Sequence, residues 1–182
     1  MSEYSHICWV ITGAGHFLRE TADFLCGLPD FSVDLYLTRA GVEVAARYGQ
    51  MERMEARGFK VFRENDYSSS GLIYFSSGRH DALVIAPATS NTVAKCALGI
   101  ADSLASNFFA QAGKSGVPIF VLPTDTEGDI TSITPSGKKI QIRPRMADLD
   151  RVRELSRFPG VTVLRSPEEF GVLRQASQDN NL

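Results

Sequence analysis

The chain has 182 residues, of which 43% are hydrophobic and 22% are charged, with a formal net charge of −2 at pH 7. This length suits one domain, and the composition is that of a folded protein rather than a disordered one. A net charge so close to zero argues against binding to nucleic acid or to anionic lipid. No window reaches the roughly 18 apolar residues of a membrane helix, and the N-terminal apolar run is too short for a signal peptide, so we expect a cytoplasmic protein.

Cysteine usage bears on metal binding and on compartment. Cys8, Cys26 and Cys96 lie far apart in the sequence. There is no Cys-x-x-Cys pair, and no histidine is spaced from a cysteine as in a zinc site. We therefore expect no metal site and no disulfide framework, and the sparse, odd count suits a reducing cytoplasm.

The chain opens with a strand, a glycine turn and a helix. The strand is predicted from Ile7 to Thr12, and apolar residues recur at helical spacing from Phe17 to Leu25. A second strand is predicted over 32–37. Helical sequence follows from Val42 to Arg57, because Gly58 ends the pattern.

The middle of the chain alternates in the same way, apart from one irregular segment. After a short strand over 59–62, residues 63–80 are rich in serine and glycine, which predicts a long loop, and long loops are often functional. Residues 82–86 are apolar without alternation and stop at Pro87, which indicates a strand buried on both faces of a parallel sheet. Helical patterning runs over 91–112 with a break at Gly99.

The last third begins with a buried strand over 118–122. Beyond it, the runs 130–133 and 139–142 flank a Pro-Ser-Gly turn and predict a β-hairpin. A polar helix over 146–157, a strand over 161–164 and a helix begun by Ser166-Pro167-Glu168-Glu169 follow. We expect one domain over 1–174, with a core over 7–122, a hairpin-and-helix extension over 123–174, and a frayed tail over 175–182.

Alternating strands and helices predict a doubly wound α/β sheet, in which ligands bind beyond the carboxyl ends of the strands. The first such loop is Gly13-Ala14-Gly15-His16, whose glycines let backbone N–H groups approach a phosphate at a helix N-terminus. Leu18 holds the third glycine position of a dinucleotide fingerprint, and Thr38-Arg39 stands where an acidic residue is expected. The pattern favours a mononucleotide phosphate, and a plain turn is the alternative.

The loop after the buried fourth strand is the most informative. Four polar residues begin the next helix, namely Thr89, Ser90, Asn91 and Thr92. Ser90 or Asn91 is expected to cap that helix, but one cap needs only one such residue. The others form a cluster of neutral donors and acceptors that suits a phosphate or a ring carbonyl.

The segment APATSNTVAKCALGIADSLAS (86–106) resembles the signature of the homo-oligomeric flavin-containing cysteine decarboxylase superfamily. The resemblance covers about residues 7–122 and implies FMN as cofactor, a flavodoxin-like or Rossmann-like sheet, and homo-oligomers built from trimers. It also implies which residues hold FMN. These are Gly13, Ala14, Gly15, His16, Thr38, Arg39, Thr89, Ser90, Asn91, Thr92 and Ser106.

Departures from the superfamily pattern separate its branches. The catalytic histidine of the cysteine decarboxylases would fall on Ile73, and their Pro-x-Met-Asn motif is replaced by Pro123-Thr124-Asp125-Thr126. An apolar isoleucine cannot move a proton, so decarboxylation is not expected. The starting segment 11–16, the segment 77–81 and the segment 134–145 resemble instead the dihydromethanopterin reductase and archaeoflavoprotein group, across nearly the whole chain.

This closer resemblance implies an FMN-dependent oxidoreductase that reduces a dihydropterin C=N bond for one-carbon metabolism, in a ping-pong sequence through FMN. The electron donor is left open between a nicotinamide nucleotide and a ferredoxin-like protein. No catalytic side chain is assigned, although His16 is a candidate. The alternatives are an electron-transfer flavoprotein that takes electrons from a ferredoxin-like partner and an FMN-linked decarboxylase or prenyltransferase.

Overall fold

The structure is a computed structural model that describes residues 4–27, 32–64, 75, 77–126 and 128–175. The described strands are β1 (His6–Ile11), β2 (Ser32–Leu37), β3 (Lys60–Arg63), β4 (Ala82–Ala88), β5 (Ile119–Pro123), β6 (Ile130–Ile133), β7 (Lys139–Ile142) and β8 (Val161–Val163). The described α-helices are α1 (Leu18–Cys26), α2 (Arg39–Arg47), α3 (Gln50–Ala56), α4 (Ser90–Ala97), α5 (Leu104–Lys114), α6 (Met146–Leu155) and α7 (Val172–Gln175), and a 3-10 helix (Pro167–Gly171) precedes α7.

Six strands form one parallel sheet in the order β3-β2-β1-β4-β5-β8. This is the doubly wound order of Rossmann-like sheets, and it confirms the predicted α/β fold class. The order reverses between β1 and β4, so the segments that follow these two strands leave toward opposite faces. Strands β6 and β7 pair antiparallel as a separate hairpin, as predicted.

Both faces of the sheet are buried, because its strands alternate side chains between two apolar layers. On one face Trp9 and Val84 pack with α1, α3 and Phe170. On the other face Val10 and Ile85 pack with α4, α5 and α6. The near-continuous apolar sequence of β4 is therefore explained by burial on both sides.

Two element predictions were wrong. The helix predicted over 42–57 is divided into α2 and α3, because Gly49 takes a left-handed conformation with φ of 65°. Strand β4 continues through Pro87 to Ala88 instead of ending before the proline. The predicted break at Gly99 is confirmed, since α4 ends before it and α5 begins after it.

Most of the predicted loop over 63–80 and most of the predicted tail lie outside the described residues. The division into core and extension stays a prediction. Among the helices that the structure describes, none combines the length and the apolar character needed to cross a membrane.

Candidate binding site at the carboxyl edge of the sheet

Thr12 joins the two strands at the point where the strand order reverses. Its hydroxyl group donates to the carbonyl oxygen of Pro87 at 2.8 Å and accepts the backbone N–H of Thr89 at 3.0 Å. Because the residues after β1 and β4 leave on opposite faces, a crevice forms here, which is the usual ligand position in such sheets. Thr12 is 2% exposed, so these hydrogen bonds hold the floor of the crevice in place.

The crevice is a cleft of about 410 Å³, which we call the first cleft. Its lining comes from the ends of β1, β2 and β3 and from the beginnings of α2, α4 and α5. The lining residues are Thr12, Gly13, Thr38, Arg39, Ala40, Glu43, Glu64, Thr89, Asn91, Thr92 and Ser103. Three helix N-termini, each with partly positive backbone N–H groups, therefore begin at one cleft.

Each of these three helices is capped by a hydroxyl side chain. Thr38 accepts the N–H of Gly41 at 3.0 Å, Thr89 accepts that of Thr92 at 3.3 Å, and Ser103 accepts that of Ser106 at 3.4 Å. The expectation that Ser90 or Asn91 caps α4 was wrong. Thr89 has the extended backbone of an N-cap residue, so Ser90 and Asn91 fall inside the helix.

Gly13 allows the turn after β1 to lie directly against α2. A Cβ atom at Gly13 would stand 2.5 Å from the Cβ of Ala40, which is closer than two carbon atoms can approach. The glycine is therefore required by close packing at the cleft rather than by an unusual backbone angle. This packing brings the turn and the beginning of α2 onto the same cleft.

The carboxylate of Glu64 shows that the cleft accommodates an anionic group. One of its oxygens accepts the N–H of Arg39, the first residue of α2, and the other accepts the N–H of Leu104, the first residue of α5, both at 2.8 Å. Hydroxyl groups, the Asn91 amide group and the largely exposed guanidinium group of Arg39 also line the cleft, and Arg39 lies 4.0 Å from the Glu43 carboxylate. Helix N-termini, hydroxyl groups and one arginine form a donor set that fits a phosphate group.

A second cavity of about 250 Å³ lies beyond the glycine turn, under the β6–β7 hairpin. Gly15, His16, Phe17, Tyr48 and residues 131–135 contribute to its lining. The Tyr48 hydroxyl group donates to the carbonyl oxygen of Ile133 at 3.0 Å. A Cβ atom at Gly15 would stand 2.3 Å from that hydroxyl oxygen, so glycine is needed for Tyr48 to reach the hairpin.

His16 places a titratable side chain in the second cavity. Burial lowers the pKa of its imidazole group, and the nearby carboxylates of Glu20 and Asp125 offset only part of that effect. The ring also packs against Phe17, with ring centroids 3.8 Å apart. Near neutral pH the imidazole group is therefore mostly uncharged, with one N–H donor and one acceptor nitrogen.

The structure divides the predicted site residues into three groups. The first cleft is lined by Gly13, Thr38, Arg39, Thr89, Asn91 and Thr92, and the second cavity by Gly15 and His16. Ala14 is buried. The Ser90 hydroxyl group donates to the Asp125 carboxylate, and the Ser106 hydroxyl group accepts N–H groups at the start of α5. The roles of all eleven residues at a flavin stay predictions.

The sequence reasoning missed Thr12, Glu64, Ser103 and Tyr48. Thr12 and Glu64 stand next to the carboxyl ends of β1 and β3, and the rule that pointed to the glycine turn applies to them equally. Ser103 and Tyr48 carry no comparable signal, because they reach the site through contacts between elements distant in sequence.

Comparison with known proteins adds independent findings. The sequence model of the family described as Flavoprotein matches residues 1–169. A dihydromethanopterin reductase (acceptor) of Methanosarcina mazei is 43% identical over 143 residues, covering 72% of this chain and 60% of the relative. The chain therefore spans about three fifths of that relative's length.

Two further relatives match over greater lengths. An uncharacterized protein of Methanocaldococcus jannaschii is 34% identical over 169 residues, covering 90% of this chain and 91% of the relative. The crystal structure of Burkholderia xenovorans DmrB in complex with FMN, described as a cubic protein cage for redox transfer, has a TM-score of 0.79 and 38% identity and covers 93% of both chains.

Proposed function

Because the chain belongs to the Flavoprotein family, we propose that it is an FMN-dependent reductase that reduces the C=N bond of a dihydropterin to the tetrahydro form. The single observation that carries the proposal is the first cleft, where three helix N-termini and a neutral hydroxyl set meet next to a second cavity. The similarity to a dihydromethanopterin reductase and to an FMN-bound redox protein supports the choice of cofactor and reaction.

The first cleft supplies the residues that hold FMN. Thr38, Arg39 and Thr89 stand at helix N-termini that favour a phosphate, while Asn91 and Thr92 offer further polar groups. Bound FMN supplies two-electron hydride chemistry at its ring system. The protein fixes the position of the cofactor, and Thr12 keeps the floor of the cleft rigid by joining β1 to the loop after β4.

The second cavity is the proposed place for the pterin ring. Tyr48 ties the β6–β7 hairpin to the glycine turn and so keeps one wall of the cavity in place. Reduction of a C=N bond needs a proton at the nitrogen as well as a hydride at the carbon. His16 lines this cavity, and we assign the protonated fraction of its imidazole group to donate this proton.

Replacement of His16 tests this assignment. In His16→Gln we expect reoxidation of the reduced protein by dihydropterin to slow by about 100-fold, the lower end of general acid–base contributions. The rate of flavin reduction by the electron donor should change by less than about threefold, since that half-reaction needs no proton at the pterin nitrogen. Equal slowing of both half-reactions would contradict the role.

The function is tested by anaerobic reoxidation. The FMN-loaded protein is reduced, mixed with dihydropterins of folate and methanopterin type, and followed by flavin absorbance, with tetrahydropterin identified as product. Reoxidation coupled to tetrahydropterin supports the proposal. Absence of reoxidation with every pterin would favour an electron-transfer flavoprotein, and a protein unable to take up FMN would overturn both.

Steady-state kinetics test the order of the two half-reactions. If the donor and the pterin use the same face of the cofactor, they must take turns, and the double-reciprocal lines are parallel. Intersecting lines would show that both are bound together. A nicotinamide nucleotide and a reduced ferredoxin-like protein are the two donors to compare.

The proposed site is completed by neighbouring copies of the chain. Leu98 and Ile100, in the connection between α4 and α5, are 56% and 44% exposed, and Met146 at the start of α6 is 64% exposed. Apolar groups exposed to this degree suit contact between copies. We propose a homo-oligomer built from trimers in a reducing cytoplasm, and light scattering that finds a monomer would contradict the assembly.

A further inference from the structure

The opposite edge of the sheet, near the amino ends of the strands, holds a compact group of polar side chains. His6 begins β1, Asp34 lies in β2, and His80 precedes β4. One carboxylate oxygen of Asp34 lies 3.0 Å from Nε2 of His80 and 3.4 Å from Nε2 of His6. One ligand atom from each residue lies within 4.8 Å of the other two.

His6 provides a second, independent observation. Its Nε2 atom is buried and makes no hydrogen bond within the described part of the chain, although it points toward the Asp34 carboxylate. Leaving a buried polar nitrogen without a hydrogen bond costs free energy. The atom is therefore placed as a ligand would be, and a bound cation would satisfy it.

We propose that His6, Asp34 and His80 bind a divalent transition-metal ion of the Zn²⁺ class. Two imidazole nitrogens and one carboxylate oxygen are common zinc ligands, and in a tetrahedral site such atoms lie about 3.3 Å apart. The two distances from Asp34 already match this spacing, at 3.0 and 3.4 Å. The side chain of His6 is 26% exposed, so water can reach the fourth position.

Arg79 competes with the metal ion. Its guanidinium group lies 2.9 Å from the same oxygen of Asp34, and its side chain is 37% exposed. Without metal, the guanidinium group supplies the positive charge that the buried carboxylate needs. When the ion binds, Arg79 moves toward solvent, which its exposure permits. The observed metal affinity therefore depends on how much more strongly the site binds the metal ion than the guanidinium group of Arg79.

This site is far from the first cleft along the strands and does not depend on the proposed function. No metal site was expected from the sequence, because the chain has no Cys-x-x-Cys pair and no histidine at a zinc-site spacing from a cysteine. The parallel pairing of β1 with both β2 and β4 is what brings the two distant histidines to one aspartate. The three residues come from separate parts of the chain, so no short sequence motif could indicate them.

The test is a metal titration of the chelator-treated protein in a Cys26→Ser background, which removes a partly exposed thiol. Co²⁺ is added as a spectroscopic probe and then displaced by Zn²⁺, and Zn²⁺ binding is measured by calorimetry. We expect one ion per chain, at least tenfold weaker binding in His6→Asn, and severalfold tighter binding in Arg79→Gln. His16→Asn is the matched histidine control and should bind as the parent does.

Folding of each variant is checked by circular dichroism. Binding that is unchanged in His6→Asn, or lost in His16→Asn, would overturn the proposal. If His6→Asn does not fold, Arg79→Gln decides alone. A purely structural ion pair predicts that Arg79→Gln lowers stability with no gain in Zn²⁺ affinity, and that result would also overturn it.

Discussion

The two edges of the same sheet use polar residues in opposite ways. At the carboxyl edge, the first cleft collects hydroxyl groups and the N-termini of three helices around open space. At the amino edge, Asp34 is hydrogen-bonded to Arg79 and His80, and Nε2 of His6 lies 3.4 Å from the same carboxylate. One edge directs its polar groups toward a ligand, whereas the other directs them mainly toward one another.

The carboxyl edge therefore contains residues suited to ligand binding, and the amino edge contains residues that stabilise the folded state. Burial alone would raise the pKa of Asp34, but the hydrogen bond from His80 and the charge of Arg79 outweigh it and hold that pKa below its usual range. The charged form of Asp34 therefore stabilises the folded state. Substitutions at the amino edge should change stability, and substitutions at the carboxyl edge should change FMN affinity.

The largest effect is expected from Asp34→Asn at the amino edge. Removing this charge takes away the carboxylate that contacts Arg79 and His80, and we expect the free energy of unfolding in urea to fall by about 2–3 kcal/mol. FMN affinity should change less than about threefold, since the cleft lies at the other edge.

Asp150→Asn is the matched control for this charge. Asp150 pairs with Arg153 on the exposed surface of α6, with side chains 54% and 60% exposed, so its loss should cost less than about 0.5 kcal/mol. A large loss of FMN affinity in Asp34→Asn would show that the two edges are not independent.

A smaller effect is expected from Gly13→Ala at the carboxyl edge. The added methyl group would meet Ala40 at 2.5 Å and move the turn away from α2, so FMN affinity should fall about tenfold, or 1.4 kcal/mol. Fluorescence titration with FMN measures the change.

Gly113→Ala in α5 serves as the glycine control. The nearest atom to its new methyl group lies 4.0 Å away, so FMN affinity should be unchanged and the helix slightly more stable. If both variants lose FMN equally, the close packing at Gly13 does not determine binding.

The smallest effect is a pH dependence at Asp81. One oxygen of its carboxylate accepts the N–H and hydroxyl groups of Ser5 and the N–H of His6, at 2.7–2.9 Å. Burial raises its pKa, but these hydrogen bonds outweigh burial and lower it. The charged form therefore stabilises the fold above the ordinary pKa near 4, and this contribution is lost as pH falls through the lowered value.

Asp81→Asn should therefore lower the free energy of unfolding by about 1 kcal/mol at pH 7, with the difference from wild type shrinking toward pH 3. Urea unfolding at both pH values measures it. A difference that stays constant with pH would mean that the charge of Asp81 contributes nothing to stability.

The carboxyl edge was largely predictable from the sequence. In a parallel sheet the carboxyl ends of the strands meet, so the glycine turn, Thr38 and the cluster at Thr89 could be placed together from the order of strands and helices. The N-cap residue of α4 could not be predicted. Thr89 and Ser90 both have a hydroxyl group, and only the backbone conformation shows which of them is the cap.

The amino edge could not be predicted. His6 and His80 meet because β1 and β4 are neighbours in a particular register. The alternation of side chains along a strand does not indicate which strands pair. For Glu64, at the carboxyl edge, the rule on strand ends gives the position but not the contacts. Its role depends on the N-termini of α2 and α5 lying within reach of one carboxylate.

The most direct test of the account is a crystal structure of the protein with FMN bound. We predict the FMN phosphate at the first cleft, hydrogen-bonded where α2 and α4 begin at Thr38 and Thr89, with the ring system toward His16 and Tyr48. A phosphate bound away from these helix N-termini, with the cleft empty, would contradict the assignment of the carboxyl edge as the binding edge.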